Sequence, residues 1–344
     1  MRVSAMKSAV ADENSTTVAE NAQVSFFAQP SARNNSGAAN CISDCLTASA
    51  RPATDVQTVK FCIISPVRDE GKFIAATIEA VVAQTIRPTE WIIVNDGSAD
   101  GTVAILDRYA LQYPWIRALH RPNRGFRSPG GGVIEAFDEG YRALRVLDWQ
   151  FIVKLDGDLT FAPDYFERCF ENFRQTPSLG IGGGVICNRV GTRLEFEENP
   201  RFHVRGATKI YRRECWDALG GLLRAPGWDT LDEVKANMLG WTTESFSDLP
   251  LVHYRPTGTA EGIWRGMVKD GRADYVSGYH PLFLAAKCLR RLFRKPYFVG
   301  SLGIACGFLT GYARRMPRVN DPALIRYLRG QQMRLLLGRK TIWQ

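Results

Sequence analysis

The chain has 344 residues, 45% hydrophobic and 23% charged, which suits one large globular domain or two small ones and excludes wholesale disorder, a collagen and a coiled coil. Its net charge of +9 is uneven: residues 279–344 hold 13 Lys and Arg against one acid, Asp321, while the first 278 hold 31 bases and 34 acids. A near-neutral body with a cationic appendage fits an enzyme better than a general nucleic-acid binder, so no nucleic-acid partner is expected.

Residues 1–57 are rich in Ala, Ser, Asn and Thr and carry no sustained periodicity, which predicts a disordered leader without a signal peptide's apolar run. The eight cysteines are scattered and form no paired CxxC motif, which argues against structural zinc and for a reducing, cytoplasmic setting. At Val59 the pattern changes. VKFCIISP reads as a buried strand stopped by Pro66. GKFIAATIEAVVAQ has Phe73, Ile74, Ile78, Val81 and Val82 at helical spacing. WIIVNDGS is a second strand, TVAILDRYALQY a second helix, WIRALHR a third strand and FIVKLDGD a fourth. This alternation predicts a parallel α/β sheet, in which ligands bind beyond the carboxyl ends of the strands. Three polar clusters, PVRDE, VNDGSADGT and LDGD, then fall along one sheet edge.

Asp156 and Asp158 flank Gly157 at a strand end, so both can reach one hard cation such as Mg²⁺ or Mn²⁺. A tight Asp/Gly turn is the plainer account. Paired acids closing an apolar strand are, however, a desolvation liability without a partner. In the second cluster Asp100 or Thr102 can cap a helix. Capping does not require Asp96, whose carboxylate can accept hydrogen bonds from a base N–H or from ribose hydroxyls.

These three clusters together resemble glycosyltransferase family 2, whose fold is GT-A: a Rossmann-like, mostly parallel α/β sheet flanked by helices. The resemblance covers residues 58–260. The opening motif reads Pro66, Val67, Arg68, Asp69, Glu70, with Arg68 and Asp69 departing from the commonest residues; the second is matched by Asp96, Gly97, Ser98, Asp100, Gly101 and Thr102; the metal motif by Asp156 and Asp158. The resemblance implies nucleotide contacts from Pro66, Arg68, Glu70, Asp96, Gly97, Ser98, Asp156 and, in the Asn123–Arg124–Gly125 loop, Arg127. It implies Mg²⁺ or Mn²⁺ on Asp156 and Asp158, with His253 completing the site, and a nucleotide-diphosphate sugar, by family habit a UDP-sugar, as donor. The transfer implied is inverting and needs a general base. Asp229, Asp232 and Glu233 share one helix face. The family's spacing to a basic residue and a glycine is met from Asp229, by Lys235 and Gly240, and not from Asp232, which ranks Asp229 first and Asp232 second; Trp228 stands where the family usually has Glu. Thr230 and Glu233 also make a capping-box pattern, a purely structural account of Glu233.

Arg265 and Lys269, four apart in WRGMVKDGRADY, are expected either to fold over the departing diphosphate or to form a solvated helix face. Residues 261–344 read as a basic helical extension, membrane- or acceptor-associated. In PLFLAAKCLRRLFRK, Lys287, Arg290, Arg291 and Arg294 fall on one face. The uncharged run 296–313 would be ~27 Å long as a helix, near the shortest membrane span. Gly303, Gly307 and Gly311 fall four apart in it, a pattern of close helix packing. An in-plane association of 283–344 with anionic lipid is expected, against burial of a Gly-rich helix on the core. Asp321 and Pro322 open a further basic helix. The Gln-x-x-Arg-Trp signature of processive synthases is absent, which points to single sugar addition. The expected activity is therefore transfer of one sugar to a lipid-linked or oligosaccharide acceptor in cell-surface or exopolysaccharide synthesis, peripherally on the cytoplasmic membrane face. The rivals are a sugar nucleotidyltransferase, whose Gly-rich first loop SPVRDEGK does not provide, and a catalytically silent carbohydrate-binding protein on a membrane.

Overall fold

Continuous apolar runs become strands, buried on both faces except at the edge strand Ile116–His120. In the computed structural model, which describes residues 59–125, 131–197, 199–255, 262–293 and 296–343, they form β1 (Phe61–Val67), β2 (Glu90–Asn95), β3 (Ile116–His120) and β4 (Phe151–Leu155). The leader expected over 1–57 and Arg127 lie outside the described residues. The four strands are parallel in the order β3-β2-β1-β4. Helices α1 (Ile74–Val82), α2 (Thr102–Gln112) and α3 (Gly131–Arg142) make the crossovers. Successive residues of β1 face opposite layers: Ile63 joins Trp91 and Val153 in one core, Ile64 joins Ile92 and Phe137 in the other.

Pro66 does not stop β1, which runs on to Val67 and pairs Pro66 with Val94. The ladder to β4 has already ended at Ile64, so the missing amide removes little pairing.

The second half is mixed: β5 (Leu159–Phe161), α4 (Tyr165–Gln175), β6 (Leu179–Val190), β7 (Arg193–Phe196), β8 (Thr208–Arg212), α5 (Arg213–Leu219), α6 (Trp228–Met238) and β9 (Thr242–His253). The sheet continues from β4 through β8, β6 and β9 to β5, and β7 hangs from β6. Strand β8 is antiparallel to β4 and β6, whereas β9 is parallel to β6. The glycines of β6 let β9 come close: a Cβ on Gly184 would lie 2.0 Å from the Leu249 carbonyl oxygen.

Four helices follow: α7 (Ile263–Val276), α8 (Pro281–Arg291), α9 (Val299–Ala313) and α10 (Pro322–Leu336), the last capped by Asp321, whose side chain accepts the Leu324 amide at 2.9 Å. They share one core with α6, in which Leu231 and Val234 meet Met267, Phe283, Ile304 and Leu328. The glycine stripe of α9 is turned inward. A Cβ on Gly307 would lie 2.0 Å from the Val268 carbonyl oxygen, and one on Gly303 2.5 Å from the Met267 Cβ, so α7 and α9 pack backbone to backbone. Among the described residues no helix is long and apolar enough to cross a membrane.

The cationic face expected on α8 is only partly a surface: Arg290 is exposed, and Arg294 lies outside the described residues. Lys287 and Arg291 are buried, and Lys287 Nζ donates to both carboxylate oxygens of Asp274 at 2.8 and 3.1 Å. Asp274 is fully buried and needs a counter-charge, which draws that face of the helix inward. Leu282 and Leu289 are left outside.

Gly307→Ala is expected to destabilise the protein by about 1–3 kcal/mol, because the new methyl must push two backbones apart. Gly330→Ala, at a helical position with open space around it, is expected to be neutral or stabilising by up to about 1 kcal/mol. Urea midpoints of the two variants read the difference.

Candidate active site

The first two polar clusters are laced together by their own backbone. The amides of Asp69, Glu70 and Gly71 donate to Ser98 Oγ (2.8 Å), Thr102 Oγ1 (2.9 Å) and Asp100 Oδ2 (2.9 Å), and the Ala99 amide returns a bond to Asp69 Oδ1 (2.9 Å). Asp69 takes a left-handed conformation, φ 55°, to make this exchange. Asp100 Oδ1 also accepts the Thr102 amide at 3.0 Å and so caps the start of α2. Ser98 Oγ thus braces the loop after β1. Gly97 is required sterically: at φ 73° a Cβ would lie 2.5 Å from Asn123 Cα, so the second cluster packs directly on the loop after β3.

From that loop Arg121 and Arg124 each donate to one oxygen of Asp96, both at 2.6 Å, while Arg68 donates to Asn123 Oδ1 at 3.1 Å and comes within 3.9 Å of Asp96. Asp96 is therefore fixed in a guanidinium cage. Pro66 lies buried in the strand behind it.

Glu70 and Asp158 face each other across Arg255, a residue the motifs did not single out. Arg255 donates to Glu70 Oε1, and its Nε stands 3.5 Å from Asp158 Oδ2. His253 Nε2 is 3.3 Å from the same oxygen, while its Nδ1 donates to Asn188 Oδ1 at 3.2 Å. Burial works against a charge on His253, but the bond and charge of Asp158 outweigh it and raise its pKa. Burial pushes Glu70 up to about 7; the charge of Asp158 adds to this and Arg255 opposes it. Glu70 Oε2 is buried and unpaired. The signal for Arg255 was in the sequence, a base two residues after His253 at a strand end.

A Mg²⁺ or Mn²⁺ ion takes one or two protein groups and fills its shell with water and phosphate oxygens. Asp158 and His253, an acid and an imidazole oriented by Asn188, fit that donor set. Asp156 does not join them: Lys154 donates to its carboxylate and also to the Gly206 carbonyl. Burial and the charge of Asp158 raise Asp156, and Lys154 opposes this. Among the described residues no three His, Cys, Asp or Glu stand in ligand geometry; of the expected set Asp158 and His253 stand together, while Asp156 is turned to Lys154.

Lys154 leads from Asp156 to Asp229. A Cβ at Gly206, whose carbonyl Lys154 holds, would lie 3.3 Å from Asp229 Oδ2, so the Gly206 backbone packs closely against that carboxylate. Asp229 is in the first turn of α6, partly exposed, with Arg205 Nη1 at 3.9 Å. Burial would raise its pKa, but His203, Lys209, Arg205 and Lys154 together hold it below the usual carboxylate range. It is an ionised acceptor at neutral pH.

Asp232 is a different kind of residue, and its candidacy as base is corrected. It is 2% exposed, takes Lys209 Nζ at 2.8 and 3.0 Å and Tyr211 Oη at 2.6 Å, and faces the interior. The Glu233 amide, at 2.7 Å from Asp232 Oδ1, takes the remaining site, so no lone pair is left for an acceptor. Glu233 is structural, though not through a capping box: its oxygens accept the Val204 amide at 2.7 Å and pair with His203 Nδ1 at 2.8 Å, and Thr230 Oγ1 is unpaired. The chain enters α6 through Gly227 at φ 80° instead. Arg265 and Lys269 are exposed on α7; residues 256–261, which link that helix to Arg255, lie outside the described residues.

Residues 62–222 match the model of glycosyl transferase family 2. Similar proteins include the putative glycosyltransferase EpsH of Bacillus subtilis (strain 168), 26% identical over 229 residues, 58% of this chain and 62% of that one. The uncharacterized glycosyltransferase YibD of Escherichia coli (strain K12) is 32% identical over 130 residues, 35% of this chain and 37% of that one. A chondroitin synthase of Escherichia coli is 31% identical over 117 residues, 34% of this chain and 16% of that one. The chain thus spans less than two thirds of each of these relatives. Among solved structures, GalNAc-T7 with UDP, GalNAc and Mn²⁺ shares the fold, with a TM-score of 0.54 at 13% identity over 76% of this chain and 57% of that one.

Glu70 keeps its proton in the folded chain and loses it in the unfolded chain between pH 4.5 and about 7. Folding takes up a proton there, so this residue's contribution to stability is full below that window and is lost as pH rises through it. Glu70→Gln stays neutral and removes the slope. In chelator-treated protein the stability of the variant relative to wild type is expected to grow by about 3 kcal/mol across the window, read by urea midpoints at each pH.

Proposed function

This chain belongs to glycosyltransferase family 2 through residues 62–222, and from that premise we propose that it moves one sugar from a nucleotide-diphosphate sugar to a lipid-linked or oligosaccharide acceptor, with inversion. A UDP-sugar is the first donor to test. The observation that carries the reading is a chain of contacts beyond the strand ends: Glu70–Arg255–Asp158–His253 at one end, and Asp156–Lys154–Gly206–Asp229 at the other. One end collects charge suited to a diphosphate and its counter-ion; the other presents a single ionised carboxylate.

The roles divide accordingly. Arg68, Asp96, Gly97 and Ser98 form the rigid floor for the nucleoside, with Pro66 behind it and Glu70 at its margin. Asp158 and His253 would hold Mg²⁺ or Mn²⁺, which when bound offsets the charge that builds on the departing diphosphate. Arg255 adds a fixed positive charge beside it. Arg265 and Lys269 are further candidates for the diphosphate. Asp156, tethered by Lys154, is left for the sugar or ribose hydroxyls. Asp229 accepts the proton of the acceptor hydroxyl as that oxygen attacks the anomeric carbon from the face opposite the nucleotide. The carbon–oxygen bond to the diphosphate breaks with its electron pair going to the phosphate, so configuration inverts. A lipid-linked acceptor in cell-surface or exopolysaccharide synthesis would place the protein peripherally on the cytoplasmic face of a membrane, with 283–344 toward it.

Asp229→Asn is expected to lower kcat about 10²–10⁴-fold while leaving donor binding intact, measured by nucleotide release and by calorimetry. Undiminished turnover would remove Asp229 as base. Asp158→Asn and His253→Ala are expected to abolish the part of donor binding that depends on Mn²⁺. Asp232→Asn is expected to lower the melting temperature, with turnover per folded molecule retained.

A further inference from the structure

Of the 17 large apolar side chains that are exposed among the described residues, nine fall between Leu282 and Tyr312. That is a concentration on α8 and α9, not the scatter of single apolar residues expected over a soluble surface. On α9 the exposed positions are Val299, Leu302, Cys306, Leu309, Tyr312 and Ala313, most of them one stripe at helical spacing, opposite the glycines that lock the helix to α7. On α8, Leu282 and Leu289 are exposed at about 60%, and Phe293, just past its end, at 77%. The two helices pack on each other: Ser301 Oγ donates to the Cys288 carbonyl at 2.7 Å.

Along this segment the charge has one sign. No acid occurs from Pro281 to Asn320, and Arg314 and Arg315, both exposed, close the C-terminal end of α9. The buried bases Lys287 and Arg291 are turned the other way. An apolar stripe with a cationic end and no carboxylate is complementary to an interface that is apolar below and anionic above. A second copy of the chain would bring no acid from this segment to meet the arginines.

We propose that α8 and α9 form a docking surface for a bilayer containing anionic lipid, with Leu302, Leu309 and Phe293 entering the headgroup region and Arg314 and Arg315 on the phosphates. This deepens the lipid-linked acceptor reading above and rests on it for its purpose. The docking helices share a core with α6, which carries Asp229, so the membrane plane and the base are held in one rigid layer.

The test is flotation of the full chain with vesicles of phosphatidylcholine, with and without phosphatidylglycerol. Wild type is expected to float with the anionic vesicles and to be released by salt. Leu302→Glu/Leu309→Glu, Leu289→Ser/Phe293→Ser and Arg314→Glu/Arg315→Glu are each expected to weaken binding about tenfold or more, at unchanged melting temperature. Failure to float, equal binding by all three variants, or a concentration-dependent dimer that Leu302→Glu/Leu309→Glu dissolves would overturn the proposal. Nucleotide release with a soluble acceptor is measured alongside. A chain that turns over donor but ignores vesicles overturns the docking surface alone; one that floats but never consumes donor overturns the transfer reading alone.

Discussion

One ammonium group holds the reactive half of this molecule together. Lys209, on β8 and fully buried, donates to the backbone carbonyl of Asp229 and to both oxygens of Asp232, and lies 2.9 Å from Glu233. Burial alone would strip its proton, but the carboxylates around it outweigh that and raise its pKa. Two acids and one carbonyl on the first turns of α6 are thereby tied to one atom of the sheet. Removing either side of such a buried pair commonly costs about 3–5 kcal/mol, because the partner charge remains. The Trp228 ring lies over both Lys209 and Lys154, 5.6 Å from each, so the same side chain touches the lysine that fixes the Asp229 backbone and the lysine that fixes Asp156. The separation between Asp229 and Asp156 is set by that sandwich, not by a flexible loop.

The nucleotide side is rigid for another reason. Its loops would need to be mobile if each supplied only side chains to a ligand. Instead three successive amides after β1 are satisfied by side chains of the loop after β2. Ser98, Asp100 and Thr102 are thus structural first. Their carboxylate neighbour Asp96 is held by two guanidinium groups from a third loop, and Gly97 allows that third loop into contact. Three loops from three crossovers become one surface, pre-formed before a donor arrives, which reduces the ordering cost of binding.

The parallel half of the fold was legible because it obeys a simple rule: continuous β-branched runs alternating with amphipathic helices. α2 and β3 fall within a residue of the runs that predicted them, and β2 and β4 end three residues short of theirs, at Asn95 and Leu155. The strands after β4 were not legible. β6 reads LGIGGGVICNRV, and its glycines, which look like a loop, exist so that β9 can approach within backbone contact. Chemistry and spacing singled out Asp158, His253 and Asp229, and the fold sets Asp158 beside His253 and leaves Asp229 partly exposed in the first turn of α6. Asp232 failed as a base because helical spacing places it near Asp229 in sequence terms but says nothing of which side faces water. Arg255 was passed over because a single base carries no pattern; only the fold brings it between Glu70 and Asp158.

The C-terminal helices show why a helical wheel is ambiguous. Lys287, Arg290 and Arg291 cluster on one side of α8, and a wheel assigns charged sides to solvent. That assignment assumes the rest of the protein offers the helix only apolar surface. Here α7 offers Asp274, buried and without any other partner for its charge, and a buried carboxylate outweighs the preference of a lysine for water. Once Lys287 is drawn inward the leucines of α8 have no core to enter, since α9 has filled the space beside α7 by close glycine packing. The outward apolar face is therefore a consequence of an ion pair on the inside. A sequence change that neutralised Asp274 would release that constraint and let α8 rotate its cations outward.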